Sequence, residues 1–273
     1  CSSDLDTFYL VSAGAFERHD HDTLKKLLPK DGSVRFTPIT TAYGVLVLAG
    51  PKSREVLQTL TDADMSNEAF PWLTGQRISV GAVQCDVLRV NFIGELGYEF
   101  HHPIEMQNHL FDMLMEAGKK HGIKPFGIRA MTSMALEKSY RLVGREMSIE
   151  YSAFESGLHR FVHPNKGQFL GRDKLVEGQQ RGFKNAFVTM EVHGIEDVDA
   201  RGSEAIQKNG KTIGRCTSGG FGWRLNKSLA LGMVAPEFSA IGTELDVVIL
   251  GKTYRATVVE ESPFDPENER LRV

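Results

Sequence analysis

The chain has 273 residues, 41% hydrophobic and 25% charged, with a formal net charge of −3. That length supports one large or two medium domains whose cores need no cross-links. The near-neutral charge excludes the electrostatic footprint of a nucleic-acid binder or an anionic-membrane binder, and no apolar run reaches the ~20 residues of a spanning helix.

Residues 1–14, CSSDLDTFYLVSAG, pass into an apolar segment with no signal or transit peptide. We read them as a start within a larger protein. A strand is expected at TFYLVS (7–12). After Asp20, DTLKKLLPK predicts a helix with Leu24, Leu27 and Leu28 on one face and Pro29 as its stop. SVRFTPI (33–39) and YGVLVLA (43–49) read as strands. Gly50-Pro51 then opens a helix with Val56, Leu57 and Leu60 inward, its proline in the first turn. RISV (77–80) and VQCDVLRVNF (83–92) are strands leading through a glycine turn into YEFHHP (98–103). Alternation sets Leu88, Val90 and Phe92 on one face and Arg89 and Asn91 on the other. It also separates Tyr98 and Phe100 from Glu99.

Two helices follow. The first begins at Pro103, carries Met106, Leu110, Phe111, Leu114 and Met115 inward, and closes at Gly122. The second spans about residues 126–140, with Ile128, Met131, Met134, Ala135 and Leu136 as core. KGQFLGRDKLV (166–176) reads as a turn into a short helix. EGQQRGFK (177–184) is polar and aperiodic, which sets a boundary there and divides the chain into 1–178 and 179–273. The second part is all β: NAFVTMEV, a hairpin around Asn209-Gly210 and another pivoting at Gly251, the pattern of a small barrel or sandwich. The fold class is therefore α+β with a C-terminal small β domain, and a cavity between the two parts is the default ligand site.

Cys1, Cys85 and Cys216 are isolated, with no CxxC, and read as small apolar groups in a reducing compartment. HDHD (19–22) has metal-ligand residue types, but His19 and His21 are two apart at a helix start and do not face each other; the acids are capping residues. His101-His102 before Pro103 reads in the same way, so no metal is expected. There is no GxSxG, Walker loop or GxGxxG, and GGFG (219–222) is a glycine-rich turn. In NFIGELGYEF (91–100), Gly94 and Gly97 allow φ > 0 and Glu95 is expected at the solvated tip. By composition Glu99 is solvated as well.

Taken in order, NFIGELGYEF, RAMTSMALEKSYRLVGREMS, FESGLHRFV, QFLGRDKL and CTSGGFGWRLNKSLALGMV resemble the folate-binding glycine-cleavage T-protein (aminomethyltransferase) superfamily. LEKSYR and ERHDHD are similar to the C-terminal halves of dimethylglycine and sarcosine dehydrogenases. The resemblance implies a T-protein-like fold of several subdomains around a folate cavity, ending in a small β-barrel. It implies tetrahydrofolate as cofactor, with FAD confined to a domain preceding this chain. Glu99 would accept hydrogen bonds from the pterin ring, Phe92 would stack on folate where the family usually has Tyr, and Tyr98 and Arg129 would be further contacts.

Two departures stand out. The family's "GARD" arginine aligns with Met131, two residues beyond Arg129. The family's catalytic aspartate belongs to a segment upstream of residue 1, which leaves no catalytic residue to assign within the chain. The function implied is transfer of a one-carbon unit from an N-methyl amine to tetrahydrofolate, in a bacterial cytoplasm or mitochondrial matrix. A non-catalytic folate-binding protein and a folate-dependent demethylase are the alternatives.

Overall fold

An antiparallel sheet of four strands organises the first of two compact units: β1 (Tyr43–Ala49), β2 (Gly75–Val80), β3 (Val83–Leu88) and β4 (Gly97–Pro103), in the order β1-β4-β3-β2. The computed structural model describes residues 6–273. Contacts group Cys1–Asn91, Glu95–Pro125 and Arg270–Val273 as this unit, and Phe92–Gly94 with Phe126–Glu269 as the other. Three helices belong to the first unit: α1 (Glu17–Leu27), α2 (Ser53–Gln58) and α3 (Gln107–Gly118). Val56 and Leu57 of α2 and Leu110 and Leu114 of α3 pack on Leu48, Ile78, Val80, Val87, Tyr98 and Phe100. In β3 the buried phase is Val83, Cys85 and Val87, and it continues into Arg89.

Arg89 is the largest fully buried side chain of the molecule. Its guanidinium donates to the main-chain oxygens of Phe70 at 2.7 Å, Leu271 at 3.3 Å and Val273 at 2.9 Å. These contacts hold the segment Arg270–Val273 in this unit, and Arg54 adds a bond to the Val273 oxygen at 2.5 Å.

Several predicted elements of this unit differ from the structure. Residues 7–12 make no strand beyond a single bridge position at Phe8, and Phe8, Leu10 and Val11 are exposed. A strand needs a hydrogen-bonding neighbour as well as β-branched residues. Residues 33–39 are also irregular. There the Asp31 carboxylate accepts from the Ser33 N–H at 2.9 Å and from its hydroxyl at 2.6 Å, a local turn that competes with pairing. Helix α1 forms but buries none of its residues, and Leu28 is already extended.

The second unit contains α4 (Ile128–Glu137), α5 (Arg172–Arg181) and a closed barrel. Its strands are β5 (Ala186–Val192), β6 (Ala205–Lys208), β7 (Lys211–Gly222), β8 (Lys227–Val234), β9 (Glu244–Ile249) and β10 (Lys252–Val259). They close in the order β10-β5-β8-β7-β6-β9. The barrel interior is filled by Val188, Met190, Ile206, Val234, Leu245, Val247, Ala256 and Val258. Both hairpin turns anticipated from sequence are present. Asn209 and Gly210 have φ of 52° and 77°, and Leu250 and Gly251 have 48° and 80°, the left-handed pairs that a two-residue hairpin requires. GGFG, in contrast, is not a turn. It lies within β7, and a Cβ on Gly219 would stand 2.4 Å from the Ala200 carbonyl oxygen, so glycine serves close packing there.

The end of α4 carries a buried charged network. The Glu137 carboxylate, fully buried, accepts the N–H groups of Arg224 at 2.6 Å and Leu225 at 3.2 Å, together with Nε of Arg224. The Arg224 guanidinium also donates to the oxygens of Ile93 and Met134, both at 2.9 Å, and lies 3.7 Å from the Phe264 ring centre. Lys138 donates to the main-chain oxygens of Asp265 and Phe264, and burial holds its pKa below the usual lysine range. Arg141 forks onto Glu261 at 2.5 and 2.9 Å and covers the Phe187 ring.

Removing one partner of such a pair leaves a charge uncompensated. Glu137→Ala should therefore destabilise the protein by about 3–5 kcal/mol, read as a lower urea midpoint. A midpoint within error of wild type would contradict this role. The buried cysteines offer a second check. Burial pushes the Cys85 thiol up to about 11 and raises Cys216 as well. In a Cys1→Ser variant at pH 8, neither thiol should react with an aromatic disulfide reagent until the protein is unfolded.

Candidate functional site

Strand β4 is central in its sheet, pairing with β1 through Val47↔Glu99 and Val45↔His101 and with β3 through Leu88↔Glu99 and Asp86↔His101. Strict alternation buries Tyr98, Phe100 and His102 on the face that α2 and α3 cover. It directs Glu99 and His101 to the other face, alongside Val45, Val47, Asp86 and Leu88. Val45 and Val47, on the edge strand β1, are 48% and 44% exposed. This face therefore presents the apolar side chains of Val45, Val47 and Leu88 with two carboxylates, Glu99 and Asp86, among them.

Glu99 keeps 27% of its side chain exposed, whereas His101 beside it keeps 2%. The His101 Nε2 lies 3.4 Å from Glu99 Oε2, and its Nδ1 lies 2.9 Å from the Tyr9 hydroxyl, with the two rings edge to face. One proton arrangement satisfies both contacts: the phenol donates to Nδ1, and Nε2–H donates to the carboxylate. Tyr9 has its pKa raised, first by burial and then by the negative charge of Asp86, Tyr43 and Glu99, so it stays a neutral donor. The carboxylate retains accepting positions open to a ligand, while its imidazole neighbour fixes its orientation.

The other predicted site residues are distributed differently. Tyr98 is fully buried in the core, its ring 5.8 Å from that of Phe70. Alternation along β4 sets it on the face opposite Glu99, which leaves it no surface on the Glu99 face. Phe92 and Arg129 belong to the second unit. There Phe92 packs on Tyr140 with ring centres 5.2 Å apart, and Arg129 is an exposed residue in the first turn of α4.

The glycine hairpin also differs from expectation. Glu95 is not a solvated tip: it is 9% exposed and paired with Arg270 at 3.2 Å, and its carbonyl accepts the Asn91 side chain. Gly94 has a φ of 71°, as expected. Gly97 instead lies in β4, where a Cβ would meet Ala49 at 3.0 Å and the Leu48 oxygen at 3.1 Å.

Two features escaped the sequence reading. His101 and His102 lie within β4 rather than at a helix start. Extending the alternation one residue beyond Phe100 puts His101 on the face of Glu99. The charged run LEKSYR is buried, and the partner of its Glu137, Arg224, is 87 residues away in sequence.

Residues 2–166 match the family model described as the GCVT N-terminal domain, and residues 185–265 match that of the glycine cleavage T-protein C-terminal barrel domain. Human mitochondrial dimethylglycine dehydrogenase is 36% identical over 268 residues, covering 97% of this chain and 31% of that protein. Mouse mitochondrial sarcosine dehydrogenase is 34% identical, covering 98% of this chain and 30% of its own length. An aminomethyltransferase of Caldanaerobacter subterraneus subsp. tengcongensis is 33% identical, covering 84% and 60%. The chain thus spans about a third of the dehydrogenases it matches. The crystal structure of glycine cleavage system aminomethyltransferase T from Bartonella henselae superposes with a TM-score of 0.72 at 24% identity, over 82% of this chain and 60% of that one, a likeness of fold. With both T-protein models matched in order and the closed barrel in place, the chain belongs to the glycine-cleavage T-protein (aminomethyltransferase) family and is related to the dimethylglycine and sarcosine dehydrogenases.

Proposed function

We propose that this chain is a tetrahydrofolate-binding, aminomethyltransferase-like region of an N-methylglycine dehydrogenase, and that Glu99 reads the pterin ring. The observation that carries the reading is the partly exposed carboxylate on a sheet face beside Val45 and Val47. A pterin offers an N3–H and a 2-amino group side by side on a flat ring. That edge suits one carboxylate in a charge-assisted pair, and the ring's faces suit apolar side chains.

When bound, the reduced folate supplies the nucleophilic nitrogen that takes up a one-carbon unit. The chain's own residues bind and orient. Glu99 accepts the two ring donors. His101 holds that carboxylate in place, with Tyr9 fixing the imidazole from its far side. The valines exclude water from the ring. Phe92 and Arg129 are proposed as further folate contacts. The FAD chemistry that generates the one-carbon unit is assigned to a separate domain of the longer protein. In the longer protein the one-carbon donor would derive from an N-methyl amine oxidised by the FAD domain of the same polypeptide, in a mitochondrial matrix or bacterial cytoplasm.

Calorimetric titration of tetrahydrofolate into the chain and into Glu99→Ala tests the reading. Removing one charged acceptor should weaken binding by about 10- to 100-fold. Equal affinity in the two proteins would sink the assignment.

Tyr9 supplies a pH test. Its folded pKa lies above the ordinary 10.0, so the fold favours the neutral phenol. That contribution is complete below about pH 10 and is lost as the pH rises through the folded value. Tyr9→Phe should therefore lose less stability than wild type as the pH rises above about 10, followed by urea midpoints at each pH. Parallel losses would show that Tyr9 is ionised equally in both states.

A further inference from the structure

The second unit contains an open cavity of about 420 Å³ that the folate reading does not use. Three arginines line it, Arg145, Arg201 and Arg215, against a single carboxylate, Glu150. Arg215 is already occupied: it pairs with Glu150, and its Nε donates to the Tyr151 hydroxyl at 2.8 Å. Arg145 and Arg201 have no carboxylate partner among the described residues. Arg145 reaches only the Arg201 main-chain oxygen and the Ser218 hydroxyl, both at 3.4 Å. The Arg201 guanidinium makes no hydrogen bond or ion pair among the described residues.

The nearby acids form no ion pair with either guanidinium among the described residues, and their oxygens accept from other groups. Glu204 accepts the N–H groups of Arg201 and Gly202 at 2.9 and 2.7 Å. Glu146, fully buried, accepts the Leu142 N–H at 2.9 Å and the Ser218 hydroxyl at 2.6 Å. The Glu204 contacts fix the loop that carries Arg201.

The wall of the cavity is built closely. Gly202 has a φ of 129°, and a Cβ there would stand 2.7 Å from the Thr217 carbonyl oxygen. Thr217 also lines the cavity and is 7% exposed, and its hydroxyl has no hydrogen-bond partner among the described residues. A buried hydroxyl without a partner costs free energy that a bound acceptor would return.

Two guanidiniums without a carboxylate partner line one concavity, with the unsatisfied Thr217 hydroxyl buried at its wall, on a chain whose net charge is negative. Planar forks of this kind match the spacing of oxygens on a carboxylate or phosphate. We propose that this cavity binds a small oxyanion, a carboxylate or phosphate group, through Arg145 and Arg201 with Thr217 as a further donor.

The test is calorimetric titration of inorganic phosphate and, separately, of glutarate into the 273-residue chain at low ionic strength. The same titrations are run on Arg145→Gln, Arg201→Gln and Thr217→Val, with circular dichroism melts to confirm folding. Wild type should give saturable binding with at least one probe. Each arginine variant should weaken it about tenfold or more, the loss that accompanies removal of a charged hydrogen bond. Tighter phosphate binding would identify a phosphoryl group as the ligand chemistry, and tighter glutarate binding a carboxylate. The absence of saturable heat with both probes, or unchanged affinity in both arginine variants, would overturn the proposal. None of these variants touches Glu99, so failure here leaves the folate reading standing.

Discussion

The second unit depends on the buried contact between Glu137 and Arg224. One guanidinium is shared between the Glu137 carboxylate, the main-chain oxygens of Ile93 and Met134, and the face of Phe264. Through it the end of α4, the turn after β7 and the short segment Phe92–Gly94 are held together. A buried ion pair is weak support for stability in itself, since desolvation offsets much of the attraction. Its effect here is directional: a planar fork can satisfy the three oxygen acceptors and lie on the ring only if the segments that carry them stand in register. Gly222 permits the approach, as a Cβ there would meet Glu137 Cγ at 2.9 Å.

In the first unit the corresponding constraint is the position of β4 between two neighbours. Because both edges of β4 are paired, its side chains have only two directions, and the helices take one of them. Every second residue from Tyr98 is thereby committed to the core. Glu99 and His101 are committed to the open face, where the apolar surface of Val45 and Val47 lies beside the carboxylate. The glutamate's character thus follows from the sheet rather than from its own flanking residues. Glu95, four residues earlier, shows the contrast: outside the ladder it turns inward and meets Arg270.

Much of the fold was legible. The helices of the middle region, the strands of β1–β4 and the two hairpins of the barrel follow from periodicity and from Asn-Gly and Gly punctuation. The strands expected at 7–12 and 33–39 failed because strand formation needs a partner that local sequence does not name. The candidate site was legible in part. Motif order singled out Glu99, whereas His101 and Tyr9 were missed. Their role depends on a pairing across 92 residues.

The sequence by itself determined the family, the α+β character and the closing β barrel, because these rest on motif order and on short-range patterns of two and 3.6 residues. The tertiary structure decided which charges are buried, that GGFG is a strand and not a turn, and that Arg145 and Arg201 share one cavity without a carboxylate partner. Burial and charge compensation are sums over neighbours distant in the chain, so no local pattern encodes them.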